Sequence, residues 1–427
     1  MIQERHASPV RPAHCSVTEP AAGHVTYRAV LQDRDLRALL ASDGLSTLGD
    51  QVARIAVALL VLERSGSALA ASATYALSYL TWMLAGPLLS GLSDRYPRRA
   101  LMVVCDLLRA GLVALLAIPD LSLWWVFGLL TLVGILAPPS EAARSALLAD
   151  LLTDERYVVA NALSNIVSQA GQVGGFLLGG ALVVAIEVEG ALLVDAVTFL
   201  ISAVVLRLLV AEQPFERIRT AGGGALGEAA GGVRLVMGDR RLRSLLCWGL
   251  LTACAVIATE GLAVSVADEG GGGPFLAGVL TAAVPIGFLL GSAPLLRVAP
   301  ERRERLFPWL VLSSCLPLVV TAFVTNLYAL LVLWVLAGLG NALQLVANSA
   351  FVQAVPTHLR GRAFGFAGAS LFAIQGVVLL IAGGLAELVG PRVAIALVAL
   401  GAAVLVPVVS GSTRSGTGAQ VGRDRVE

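Results

Sequence analysis

"GPLLSGLSDRYPRRA", Gly86 to Ala100, decides how the rest of the chain is read. One carboxylate, Asp94, and three guanidiniums, Arg95, Arg98 and Arg99, are compressed into a turn between two long apolar runs. Such a turn joins two membrane-spanning helices on one face of a bilayer. Its charges can fasten packed helical units, with Asp94 facing a helix N-terminus or an arginine. Outward from this turn the apolar character continues: 57% of the 427 residues are hydrophobic and 14% charged, with a mean hydropathy of +0.83. No water-soluble domain of this length needs that composition, so the chain reads as a polytopic membrane protein.

Runs long enough to cross a hydrocarbon core of ~30 Å fall at 39–62, 68–92, 100–118, 124–143, 159–186 and 191–209. A second set falls at 242–266, 274–296, 306–324, 327–350, 364–388 and 393–409. The expected fold is all-α: twelve transmembrane helices in two six-helix bundles, 39–210 and 242–410, around a central cytoplasmic loop, 211–241. That loop is Gly-rich ("AGGGALGEAAGG") and then basic, which suggests a flexible linker leading into an amphipathic surface segment. Residues 1–38 lack the apolar core of a signal peptide and read as a cytoplasmic tail, as do residues 411–427. Arginine placement sets the orientation. Arg95, Arg98, Arg99, Arg156, Arg217, Arg219, Arg240, Arg241, Arg302, Arg303, Arg305, Arg360 and Arg362 share a face with both termini, which predicts that face to be cytoplasmic in a plasma membrane. The opposite loops are acidic, carrying Glu63, Asp120, Glu187, Glu189, Asp268 and Glu269.

The halves also repeat. At an offset of 204 residues Arg98 and Arg99 fall on Arg302 and Arg303, Ser145 on Ser349, Arg156 on Arg360, and Gly179-Gly180 on Gly383-Gly384. Several matches at one offset indicate a duplicated six-helix unit. The opening turn, with Leu92, Ser93, Asp94, Arg95, Arg98 and Arg99 in register, resembles the signature loop of the major facilitator superfamily, although Ser90 and Pro97 stand where glycines are usual. "GQVGGFLLGG" resembles the antiporter motif of drug/proton exporters through Gly171, Gly175, Gly179 and Gly180, with Phe176 at its proline position. Glycines at this spacing also serve ordinary close helix packing. "ARSALLADLLTDERYVVANALSN", "VPTHLRGRAFGF" and "LLVDAVTFLISA" are similar to the branch containing macrolide exporters and the enterobactin exporter. The resemblance spans about 39–410. It implies a latch at the cytoplasmic gate from Asp94, Arg95, Arg98 and Arg99, and a central cavity lined by the first, fourth, seventh and tenth spans.

A charge inside the bilayer costs at least ~2.5–3.5 kcal/mol and marks a candidate site. Asp50 lies near the midplane, about 16 Å along the helix from Leu39, on a polar stripe with Asp43, Ser46, Thr47 and Arg54. The other cavity-lining spans carry Ser140, Glu141 and Arg144; Thr252, Thr259 and Glu260; and Asn341, Gln344 and Asn348. Two ion pairs within single helices are the plainer alternative: Asp50 with Arg54 at i,i+4, and Asp106 with Arg109 at i,i+3. His6, His14, His24 and His358 all lie outside the spans, so a proton carrier must be a carboxylate. The candidates are Asp50, Glu260 and Glu141, with Asp195 competing. Tyr75, Tyr79 and Trp82 are possible stacking surfaces for cargo.

These features predict a monomeric secondary transporter that exports amphiphilic small molecules, such as a macrolide drug or natural product, by alternating access. Protons and the lipid bilayer are its other partners, and the proton gradient stands in place of any cofactor. A siderophore exporter or lysolipid carrier is the alternative within transport; a non-transporting sensor is the alternative outside it. No metalloprotease, nucleotide-loop or Asp-rich metal motif points to an enzyme, and nothing points to nucleic acid. Cys15, Cys105, Cys247, Cys254 and Cys315 have no metal-ligand spacing and read as small buried hydrophobes.

Overall fold

The computed structural model describes residues 31–152, 154–212, 225–295, 298, 303, 305–356 and 359–420, and no strand forms among them. The first bundle contains α1 (Arg34–Ser65), α2 (Ala68–Leu89), α3 (Arg98–Leu116) and α4 (Leu123–Leu151). A further run, Asp154–Leu209, leaves helical geometry at Ile186 and Glu187, where Glu187 has φ 63°, and so forms two spans, α5 (154–185) and α6 (188–209). After α7 (Ala225–Gly238) the second bundle contains α8 (Arg240–Glu269), α9 (Gly273–Leu295), α10 (Phe307–Val320), α11 (Leu327–Ala354), α12 (Arg360–Val389) and α13 (Pro391–Gln420). Twelve spans in two sets of six result, with α7 between them.

Several helices run further than hydropathy predicts, because capping and backbone bonding rather than apolarity end a helix. Asp33 accepts from the backbone N–H groups of Asp35 and Leu36, so α1 begins at Arg34, inside the predicted tail. Asp239 and Asn326 cap α8 and α11 in the same way. The pair Pro138-Pro139 sits within α4 without ending it. The supposed flexible stretch contains α7, which lies on α12 so closely that a Cβ on Gly232 would fall 2.4 Å from the Arg362 carbonyl oxygen. Residues 1–30, with Cys15, His6, His14 and His24, and Arg217, Arg219, Arg302 and His358, lie outside the described residues.

Small residues set the helix spacing. A Cβ on Gly175 would meet the Leu48 carbonyl oxygen at 2.5 Å and Gln51 Cβ at 2.7 Å, and one on Gly171 would meet the Gly44 carbonyl oxygen at 3.1 Å. The glycine stripe of α5 therefore seats α5 on α1 within one bundle.

The two bundles meet along two seams at the end distal to the chain termini. On one, α5 crosses α9: a Cβ on Gly278 would lie 2.4 Å from the Phe176 carbonyl oxygen. On the other, α2 crosses α12. Ser72 Oγ donates to the Leu379 carbonyl at 2.8 Å. Glu387 Oε1 accepts from Ser67 Oγ at 2.7 Å and Leu69 N–H at 3.0 Å, so a carboxylate of the second bundle caps a helix of the first. The same α2 leaves Leu84 and Leu88 60% and 68% exposed toward the terminus-proximal end. The seams thus close the distal end.

Two substitutions check this packing. Gly175→Val should cost about 1–3 kcal/mol by overpacking, lowering the unfolding midpoint of the purified protein. Gly278→Leu should instead wedge the distal seam open, read as a longer separation between spin labels on Ser65 and Leu388; an unchanged distance would contradict the seam.

Candidate functional site

A cavity of about 410 Å³ is lined by Asp43, Asp50 and Arg54 of α1, Tyr75 and Trp82 of α2, Arg109 of α3, Ser140, Glu141 and Arg144 of α4, Ser168 of α5 and Asp195 of α6, with further apolar and uncharged polar positions. Every lining residue belongs to the first bundle. The volume falls within the range of small-molecule sites. Of the aromatic side chains, Tyr75 and Trp82 line the cavity, and at the bundle boundary Trp82 and Tyr79 meet Phe372 of α12 in tilted contacts, with ring centroids 5.2 Å and 6.2 Å apart.

Except for Glu141 with Arg144 on α4, the intramembrane ion pairs among the described residues join different helices. Asp50 of α1 accepts from Arg109 Nη2 of α3, at 2.9 Å and 3.1 Å to its two oxygens. Arg54 reaches across the bundle boundary to Glu260 Oε1 of α8 at 3.4 Å, and Tyr79 Oη donates to Glu260 Oε2 at 3.1 Å. This corrects the Asp50–Arg54 alternative. Asp106 accepts from Ser202 Oγ at 2.6 Å, which corrects the Asp106–Arg109 alternative. The physical reason is common to both. Sequence spacing identifies neighbours on an isolated helix, whereas a buried carboxylate left without a partner on the facing helix costs more than a local pair returns.

Asp43 is the most fully satisfied acid. It takes Arg144 of α4 as ion-pair partner and accepts from Ser164 and Ser168 of α5, each at 3.1 Å. Glu141 shares Arg144 at 3.3 Å. Helices α1, α4 and α5 are therefore held by a single carboxylate with donors from both neighbours. Asp43 was visible in the sequence only as one member of a stripe; its hub role needed α4 and α5 in place.

The second-bundle candidates are placed differently. Thr252 and Thr259 donate to carbonyls of their own helix, those of Trp248 and Val256. Asn341, Gln344 and Asn348 of α11 stand outside this cavity's lining, with Asn348 exposed. Glu260 is the residue through which the second bundle reaches the charged site. In the Gly86–Ala100 turn, Arg98 pairs with Asp150 and donates to the Ala146 carbonyl at 2.9 Å. Arg99 donates to the Val210 carbonyl at 2.9 Å and to Glu212 at 3.1 Å. These two arginines brace α3 against α4 and the end of α6, inside one bundle.

A cavity walled by helices, with buried charges and a bundle-to-bundle ion pair beside it, has the size and chemistry to hold a solute. Comparison with known proteins identifies the family. The chain is 28% identical over 362 residues to the multidrug efflux pump Tap of Mycolicibacterium fortuitum, covering 80% of this chain and 87% of that one. It is 27% identical over 268 residues to the uncharacterized MFS-type transporter YfiS of Bacillus subtilis (strain 168), a match spanning 61% of this chain and 63% of YfiS. Among solved structures, the nucleoside transporter NupG superposes with a TM-score of 0.72 at 12% identity, over 88% of this chain and 99% of NupG. An inward-facing, occupied bacterial homologue of the lysosomal transporter Spinster gives 0.67 at 17%, over 91% and 98%. The sequence profile of the Major Facilitator Superfamily matches residues 39–266, and this chain belongs to that superfamily: a multi-pass cell-membrane transporter of small molecules, not an enzyme.

Proposed function

We propose that this transporter exports amphiphilic small molecules, of drug or natural-product type, in exchange for protons, with both termini cytoplasmic. The observation that carries the reading is the Arg54–Glu260 pair with Tyr79, which joins the bundles beside a cavity of mixed apolar and charged lining. Alternating access moves one bundle against the other, so this link must break and re-form in each cycle. A proton on Glu260 removes the charge that Arg54 holds, which couples proton binding to bundle movement. Asp50 and Glu141, each also bound to an arginine facing the cavity, are the other candidate carriers. The distal closure then corresponds to a cavity accessible from the cytoplasm. The similarity to an efflux pump supports the outward direction of transport. The proposed transporter works as a monomer.

Everted vesicles carrying a pH-sensitive dye test the proposal with a panel of macrolides, cationic dyes and siderophores. Proton movement on adding a panel member is expected, and its loss in the Asp50→Asn/Glu260→Gln double variant. No response to any compound would contradict proton-coupled drug export. Asp94→Asn should abolish this transport while leaving membrane insertion intact, as the latch reading of the Gly86–Ala100 turn requires; unchanged transport would remove that role.

A further inference from the structure

Asp195 stands apart from the other acids of the cavity. Asp43, Asp50, Glu141 and Glu260 each have an arginine within ion-pair reach. Asp195 lies within α6, 1% exposed, and among the described residues its side chain accepts from the hydroxyl of Thr198, one turn away, at 3.2 Å to Oδ1. Its Oδ2 is buried and accepts no hydrogen bond among the described residues. The helix against it leaves no slack: a Cβ on Gly49 of α1 would fall 2.3 Å from Asp195 Oδ1. An ionised carboxylate so placed would be a buried charge without a counter-ion, which is costly unless it is neutralised.

A complementary donor lies beside it. The Arg109 guanidinium sits over the Phe199 ring, 4.3 Å from its centroid, and Phe199 is one helical turn from Asp195 on α6. Arg109 spends Nη2 on Asp50, while its buried Nε has no partner among the described residues. One arginine is therefore bonded to Asp50 and packed on a residue one turn from Asp195. The charged groups around Asp195 are Asp50 from α1 and Arg109 from α3; Asp106, also on α3, is occupied by Ser202 two turns along α6. Asp50 is 28% exposed at its side chain and opens on the cavity.

From this geometry we infer that Asp195 is a proton-binding site of the transport cycle, and that Arg109 is the relay between it and Asp50. With Arg109 on Asp50, Asp195 carries the proton. When a positive group of the cargo takes Asp50, Arg109 turns to Asp195, the Asp195 O–H bond breaks, its electron pair stays on the carboxylate and the proton leaves through cavity water. Cargo and proton thereby exclude one another without competing for the same oxygen atoms. The inference deepens the proposed proton exchange and rests on it for direction, but proton occupancy of Asp195 can be read without any cargo.

The test is infrared spectroscopy of the purified full-length protein at neutral pH, following the carbonyl stretch of protonated carboxyl groups. Asp195→Asn keeps the side-chain shape and should remove a band present in the wild type. Asp50→Asn imitates the loss of charge at Asp50 and should remove the same band with Asp195 intact, because Arg109 then pairs with ionised Asp195. A wild-type band that survives either substitution at full intensity overturns the inference, as does the absence of any such band. Should Asp195→Asn fail to fold, Asp50→Asn decides alone. A negative vesicle assay with a positive infrared result would place the failure in the choice of cargo or coupling, not in Asp195.

Discussion

The first bundle is built around one constraint: a guanidinium buried inside a membrane protein needs a counter-charge, and here each of three arginines finds one on a neighbouring helix. Arg144, Arg109 and Arg54 meet Asp43, Asp50 and Glu260 respectively, and each pair joins different helices. Desolvation makes such pairs weak contributors to net stability, yet breaking one strands a buried charge. They consequently act less as glue than as register marks, fixing which helix faces which and at what depth. The same property makes them suited to a cycle, because a partner exchange that keeps all charges compensated costs little.

Small side chains do complementary work. Where no hydrophobic force draws helices together, close backbone approach supplies dispersion contacts. The stripe Gly171, Gly175 and Gly179 holds α5 on α1, while Gly180 and Gly278 bring α5 against α9 across the bundle boundary. One face of α5 is thus internal to the first bundle and its neighbour forms part of the boundary with the second. At the α2–α12 seam the contacts grade into hydrogen bonds, ending on Glu387, whose carboxylate lies among water-exposed groups.

The duplicated unit has diverged in use. The offset of 204 residues preserves arginines and glycines that shape loops and helix contacts, but at the cavity it places Gln344 on Ser140 and Asn348 on Arg144. The ionic network is accordingly confined to α1, α3 and α4, with Glu260 as the single acid contributed to it from the second half among the described residues. A pseudo-symmetric scaffold thus carries an asymmetric charge distribution.

How much of this was legible in the sequence follows from the range of the forces involved. Span positions, the two-fold repeat and the six-plus-six layout depend on local hydropathy and self-similarity, so the chain alone determined them; helix ends were less accurate, since Asp33 and the folded α7 act through backbone caps and tertiary contacts that hydropathy does not record. The polar stripe of α1 was also readable, because an intramembrane charge is conspicuous wherever it stands. Which charges pair was not. Asp50 lies four residues from Arg54 but bonds Arg109, fifty-nine residues away, and Arg54 bonds Glu260, 206 residues away. Only the packing of helices brings those groups together, and the tertiary structure alone decided the partners because the cost of a buried unpaired charge is settled by what faces it.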